Sequence, residues 1–385
     1  MPLFKRKTVL LAKIEGSYGV DPTPTGSANA ILVRNLTLTP QDGETVGRDL
    51  VRPYFGNSPQ LPGSIRGTLE FEVEVAGAGT AGTAPGYGPL LRACGMAELL
   101  LGSALTGSAT AGSATTITLA AGASATDQAY KGMRLDTTSG TGTGQYATIR
   151  DYVGSTKVAT FNETLSTPLA ASTGYSIGAQ ASYCPISAAF ESVTLYVNQD
   201  GVLHKLFGAR GSVAISIAAK SIPVYKFSFT GLYQTVTDTA LPTPVYTAFQ
   251  QPLASNTLNT PAIALHGVTP VLSSVDIDFA NQVVHRALVG TESVLLTDRK
   301  AAGNIVIEAT TVAVKDWWTV AKNATLGPFY VLQGTTAGNK VGISSGYAQI
   351  IKPTYQDQDG VAMLAAQMSF NPGSSGNDEI MISVA

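Results

Sequence analysis

Two glycine-framed motifs are the first candidates for chemistry. Gly77-Ala78-Gly79-Thr80-Ala81-Gly82 has the GxGxxG spacing that holds a pyrophosphate when the glycines open a helix directly after a strand. Here Thr83-Ala84-Pro85-Gly86-Tyr87-Gly88-Pro89 stands between the glycines and any helix. The preceding strand carries three glutamates, where a buried parallel strand is apolar on both faces. The segment reads as a loop. Gly342-Ile343-Ser344-Ser345-Gly346 has GxSxG spacing, which makes a nucleophile only on a strand–turn–helix corner with a later histidine. His204, His266 and His285 all come earlier and a strand-like Tyr347–Ile351 follows, so a glycine-rich hairpin is expected. Gln356-Asp357-Gln358-Asp359-Gly360 resembles part of a calcium loop without its distal glutamate and reads as a turn. With three scattered histidines and no CxxC, no catalytic residue, metal or cofactor is expected, and the chain reads as a non-enzyme.

The charges that remain interesting sit on a strand. Leu69-Glu70-Phe71-Glu72-Val73-Glu74-Val75 alternates without a fault, so Leu69, Phe71, Val73 and Val75 belong to a core and Glu70, Glu72 and Glu74 to the opposite face. A row of carboxylates repels anions rather than binding them. Similar short segments recur at 193–197, 213–217, 225–229 and 305–307, with Gln199-Asp200-Gly201 as a hairpin signal. Helical candidates are confined to Pro89–Leu101 and Lys315–Ala324. The expected class is all-β with one helix per domain.

Composition narrows the partners. Charged residues make up 13% of the 385, about half the usual share, which suits a chain that hides surface by assembling with copies of itself. The 24 Lys and Arg against 26 Asp and Glu lack the cationic excess that gripping nucleic acid requires. Cys94 and Cys184 read as buried thiols in a reducing compartment. Neither a secretory signal nor an apolar run of the ~20 residues needed to cross a bilayer is found, so no membrane partner is expected.

The sequence also echoes itself. Val46-Gly47-Arg48-Asp49-Leu50-Val51 recurs as Val284-His285-Arg286-Ala287-Leu288-Val289, and Gly67–Glu72 recurs as Gly303–Glu308. A helix candidate follows each, and Lys226-Phe227-Ser228-Phe229 is matched by Gln367-Met368-Ser369-Phe370. A tandem duplication is expected, with a first domain over 1–101 and 182–245, a small inserted β-domain over 102–181, and a second domain over 246–385. An insertion in a surface loop costs little closure entropy.

A duplicated β-domain with low charge and a long loop before its central strand resembles the major tail tube proteins of long-tailed, siphovirus-like bacteriophages. The residues carrying this are Arg48–Glu74, the echo Arg286–Glu308, and the helix after each. The resemblance implies two tandem β-sandwich tube domains and a structural virion protein. Stacked rings of it would form the conduit for genome DNA ejection. Two domains per chain imply trimeric rings of pseudo-sixfold symmetry. If each domain gave four strands, ~24 strands spaced ~4.8 Å apart and tilted ~40° would close a barrel of roughly 150 Å circumference, wide enough for a duplex. It further implies that Glu70, Glu72, Glu74 and Glu308 line the lumen. Arg48, Arg52, Tyr54, Phe55 and Arg286 would lie in loops reaching the adjacent ring. Implied partners are other copies, a tape measure protein, tail-terminator and tail-tip proteins, and DNA in transit. The location would be the virion tail, after assembly in the bacterial host cytoplasm. The competing reading is a cell-surface or carbohydrate-binding β-module, although the insert has no tryptophan to mark a sugar site.

Overall fold

A computed structural model describes residues 2–385. The alternating segment at 69–75 is the centre of strand Leu61–Glu74, and Leu69, Phe71, Val73 and Val75 are buried. On one side this strand pairs with Arg34–Val46, on the other with Val224–Tyr233, which pairs in turn with Val202–Ala218. The sheet does not stop there. Val202–Ala218 pairs with Leu272–Asp278, and the series continues through Ala302–Glu308 and Val361–Phe370 to Val341–Gln358. Every pairing is antiparallel, and each half of the chain supplies four strands. The sheet is open, with Arg34–Val46 and the end of Val341–Gln358 as its edges, so the chain alone closes no barrel.

One face of this sheet is the core. Phe71, Phe227 and Phe229 stack with centroids 5.5 to 6.0 Å apart, and Val213, Ile215, Ile217, Val275, Ile277, Ile305 and Ile307 continue the layer. A second layer closes over it, built from Thr8–Ile14, Val193–Gln199, Leu326–Gln333, Met381–Val384, Gln180–Pro185 and Met96–Leu101. Two long strands serve both layers: Val202–Ala218 pairs early with Val193–Gln199, and Val341–Gln358 pairs early with Leu326–Gln333. Each bends at a bulge, where Gly208 (φ 56°) and Lys352 (φ 47°) take left-handed backbone. The result is the all-β sandwich architecture with few helices.

Among the described residues there are three helices, Gly26–Asn29, Gly88–Ala93 and Trp317–Lys322. The helix expected over Pro89–Leu101 is shorter than its apolar run suggests. Gly95 at φ 79° ends it, and Met96–Leu101 becomes a strand against Gln180–Pro185. The hairpin expected at Gly342–Gly346 is also corrected: those residues lie inside strand Val341–Gln358. The Asp200-Gly201 and Asp359-Gly360 turns form as read, all four residues at positive φ.

Between the strands Met96–Leu101 and Gln180–Pro185 the chain builds a separate seven-stranded sheet, from Leu105–Ser108 to Gly174–Ile177. It has its own core, including Ile117, Met133, Leu135, Ile149 and Tyr152. This unit is clamped to the second half by two arginines. Arg134 lies 4.1 Å over the Tyr146 ring and donates to the Tyr330 hydroxyl at 3.3 Å. Arg150 lies 4.8 Å over the Tyr347 ring and 3.8 Å from Asp378. Nearby, Glu163 accepts from the Thr148 amide at 2.7 Å, and burial pushes its carboxyl up to about 7.

Two outcomes follow. Phe227→Ala removes one ring of this mutually stacked trio and is expected to cost about 3–5 kcal/mol, read as a lower denaturant midpoint. Because the folded Glu163 carboxyl titrates above its unfolded value of 4.5, its contribution is full at low pH and is lost as pH rises toward about 7. Glu163→Gln should therefore flatten the pH dependence of the melting temperature across that window; an unchanged slope would refute the assignment.

Candidate conduit face and contact hairpins

The face opposite the core is set by pairing. Residues paired across antiparallel strands share a face, so one row crosses the sheet as Glu72, Lys226, Ala214, Asp278, Ala302, Ser369 and Gln349. A parallel row runs Glu74, Val224, Ser216, Asp276, Asn304, Gln367 and Ile351. Glu70 and Glu308 share this face by strand alternation. Its central part carries six carboxylates, Glu70, Glu72, Glu74, Asp276, Asp278 and Glu308, against Arg34 and Lys226; farther along the same strands Arg66 is paired with Asp42 and Arg210 is turned to the Val294 carbonyl. Between the charges lie small polar groups, and the surface dips into a concavity of ≈ 690 Å³ lined by Ser216, Lys226, Asp276, Asp278, Asn304 and Gln367.

Charge compensation is confined to one end. Arg34 Nε lies 3.0 Å from Glu72, its Nη1 lies 3.8 Å from Glu74, and Asn35 Nδ2 donates to Glu72 at 2.9 Å. Glu70, Asp276, Asp278 and Glu308 are exposed and belong to none of the ion pairs found among the described residues. Two residues of this face, Asp276 and Asp278, escaped the sequence reading, although Val275-Asp276-Ile277-Asp278-Phe279 alternates as plainly as 69–75 does. One of the sequence echoes does not survive the pairing. Glu72 stands across from Lys226, but Glu308 stands across from Met363, and Gln367 faces Asn304. The matches Glu72 to Glu308 and Lys226 to Gln367 therefore differ by four positions and cannot both hold.

The candidate contact residues sit on two hairpins. Arg34–Val46 and Leu61–Glu74 project beyond the sandwich, and the tip between them holds Arg48, Arg52, Tyr54 and Phe55. Val51 and Phe55 are fully exposed, and the Arg52 guanidinium lies 5.9 Å from the Tyr54 ring. Arg286 is on the other hairpin, Asn281–Leu288 with Thr291–Arg299, exposed near its tip beside Val289. That second hairpin is docked on the first half. Asn281 Nδ2 donates to the Cys94 and Gly211 carbonyls (2.7 and 3.0 Å), Arg210 donates to the Val294 carbonyl (2.7 Å), and the Val294 amide donates to the Tyr18 hydroxyl (2.6 Å).

The motifs that suggested chemistry have structural employment. The Gly77 amide donates to Asn339 Oδ1 and the Gly79 amide to the Gly338 carbonyl; a Cβ on Gly77 would come within 2.2 Å of that carbonyl. The glycines thus let two loops cross at backbone distance. Ser344 and Ser345 are buried in strand, and the Ser345 hydroxyl accepts from the Tyr347 amide. Among the described residues no group of three or more His, Cys, Asp and Glu is placed to hold a metal, and no helix is long and apolar enough to cross a membrane. Cys94 and Cys184 are buried free thiols.

The comparison with curated proteins gives no match. The comparison with protein families does: the model of the phage tail tube protein family matches residues 5–385, nearly the whole chain. A tail tube protein is a self-assembling structural component of the virion tail, and the all-β sandwich agrees with that role. The chain belongs to the phage tail tube protein family.

Proposed function

We propose that three copies of this chain close one ring of the tube, and that stacked rings form the conduit through which genome DNA is ejected. The observation that carries this reading is the single eight-stranded sheet with a core on one face and an acidic polar surface on the other. Three such sheets supply 24 strands, the number that the duplicated-domain reading of the sequence requires. The junction inside the chain, Ala214–Ala218 against Ser274–Asp278, is the pattern for the junction between copies. Repeating it heterologously three times would close the ring and consume both open edges.

In that ring Glu70, Glu72, Glu74, Glu308, Asp276 and Asp278 face the bore. Carboxylates in a confined, low-dielectric channel repel phosphates, so the duplex slides without an adsorption well. The tip residues Arg48, Arg52, Tyr54 and Phe55, with Arg286, are proposed to meet the next ring, since aromatic and arginine side chains suit interface cores. Tape measure, terminator and tip proteins are the further partners of such a tube, assembled in the host cytoplasm. The insert lies on the side away from the acidic face, as an outward decoration.

Negative-stain images and native mass of the purified protein should give rings of three chains. Six chains per ring, or a monomer at high concentration, would exclude the trimeric arrangement. In virions, replacing Glu70, Glu72 and Glu74 by lysine is expected to slow DNA release and make it salt-dependent while leaving tube length unchanged. Release kinetics identical to the wild type would remove the acidic bore from the account.

A further inference from the structure

The two halves of the sheet end differently. In the first half, the strand Val202–Ala218 is flanked at 214–218 by Leu272–Asp278, and Ile215 and Ile217 are each 1% exposed against Val275 and Ile277. The helix above it, Gly88–Ala93, buries Leu90 and Leu91 completely. In the second half the corresponding place is taken by residues 351–358, which among the described residues pair only with Val361–Phe370. The helix over that strand is Trp317–Lys322. Trp317 is buried, but Trp318 is 39% exposed and Tyr355 beneath it 62% exposed, their rings in edge contact at 5.2 Å. Val312 and Val314, from the loop before the helix, are exposed as well. Residues that are core in one half are surface in the other.

We infer that this aromatic pair receives strand Arg34–Val46 of a second copy of the chain. That strand is the other open edge of the sheet, and it holds the position in the first half that Leu272–Asp278 holds in the second: each flanks the strand that leads to its half's main helix. Its core-side residues Leu36 and Leu38 are only half-buried, and Leu32 is exposed. In the intramolecular junction such positions face Ile215 and Ile217; here Trp318 and Tyr355 stand in for them. A fully buried aromatic side chain removes on the order of 150–250 Å² from water, and covering the parts of Trp318 and Tyr355 still open would remove roughly half of that each. Pro40 on one edge and the Lys352-Pro353 bulge on the other interrupt both ladders, so the two edges can join only over short segments. The inference rests on the ring reading and names the residues that seal it.

The test uses the full-length protein, which has two tryptophans, one buried and one open. Acrylamide should quench the Trp318 fraction in monomer and lose access to it in rings, with Trp318→Phe supplying the baseline for Trp317. Trp318→Ala combined with Tyr355→Ala should keep the far-UV circular dichroism of the monomer and lose ring formation, while Trp318→Phe retains rings. Rings in which Trp318 stays as accessible as in monomer, or rings formed normally by the double alanine chain, would overturn this contact and leave the trimeric tube standing. Wild-type protein that forms no ring would overturn both.

Discussion

The structure depends on five consecutive backbone pairs, Ala214–Ala218 against Ser274–Asp278. They join two sandwiches into one sheet and thereby decide which residues share a face across the whole molecule. Side chains alternate with a period of two, so a slip of one residue at this seam would send Asp276 and Asp278 into the core and Val275 and Ile277 into water. The register is held by what lies on either side: Ile215 and Ile217 packed on Ile277 and Val275, and the docked hairpin tied down by Asn281 and Arg210. A linker alone would keep the halves near each other. The seam makes them one surface.

Electrostatics follow from that geometry. A chain with 13% charged residues has few carboxylates to distribute, and six of its 26 acidic residues fall on one face of one sheet. Arg34 neutralises part of one end, where the surface meets an open edge, and Lys226 sits alone near the middle. The rest of the two rows is serine, alanine, asparagine and glutamine with Val224 and Ile351, all of them uncharged. Elsewhere charges are used in pairs, as in Arg92 with Glu191 at 2.6 Å or Arg66 with Asp42 at 3.0 Å, where they fasten elements to one another.

Much of this was legible in the sequence because strand alternation is a local property. Leu69–Val75 declared its core and its acidic face outright, and Asp359-Gly360 announced a turn through the only backbone geometry that suits it. Asp276 and Asp278 carried the same signal and were overlooked because their strand is short and begins after a proline-containing loop. The helix at Pro89 was overextended because an apolar run such as Met96–Leu101 fits a buried strand or a buried helix equally, and only its partner at 180–185 decides. The GxSxG segment misled for a related reason: glycine and serine there serve close packing against neighbours, Tyr330 on the adjacent strand and Asn162 from the insert. The sequence echoes were detectable, whereas their register was not. Pairing partners, not residue identity, fix which positions correspond.

The insert leaves the first half between Met96–Leu101 and Gln180–Pro185 and is pinned to the second by the contacts of Arg134 with Tyr330 and Arg150 with Tyr347. A subunit with a single tube domain would have to display six appendages around each annulus or none. The proposed ring of three chains would display three, separated by bare intervals. A chain whose halves differ in this way can vary what it displays on one side while the acidic face of the sheet stays unchanged.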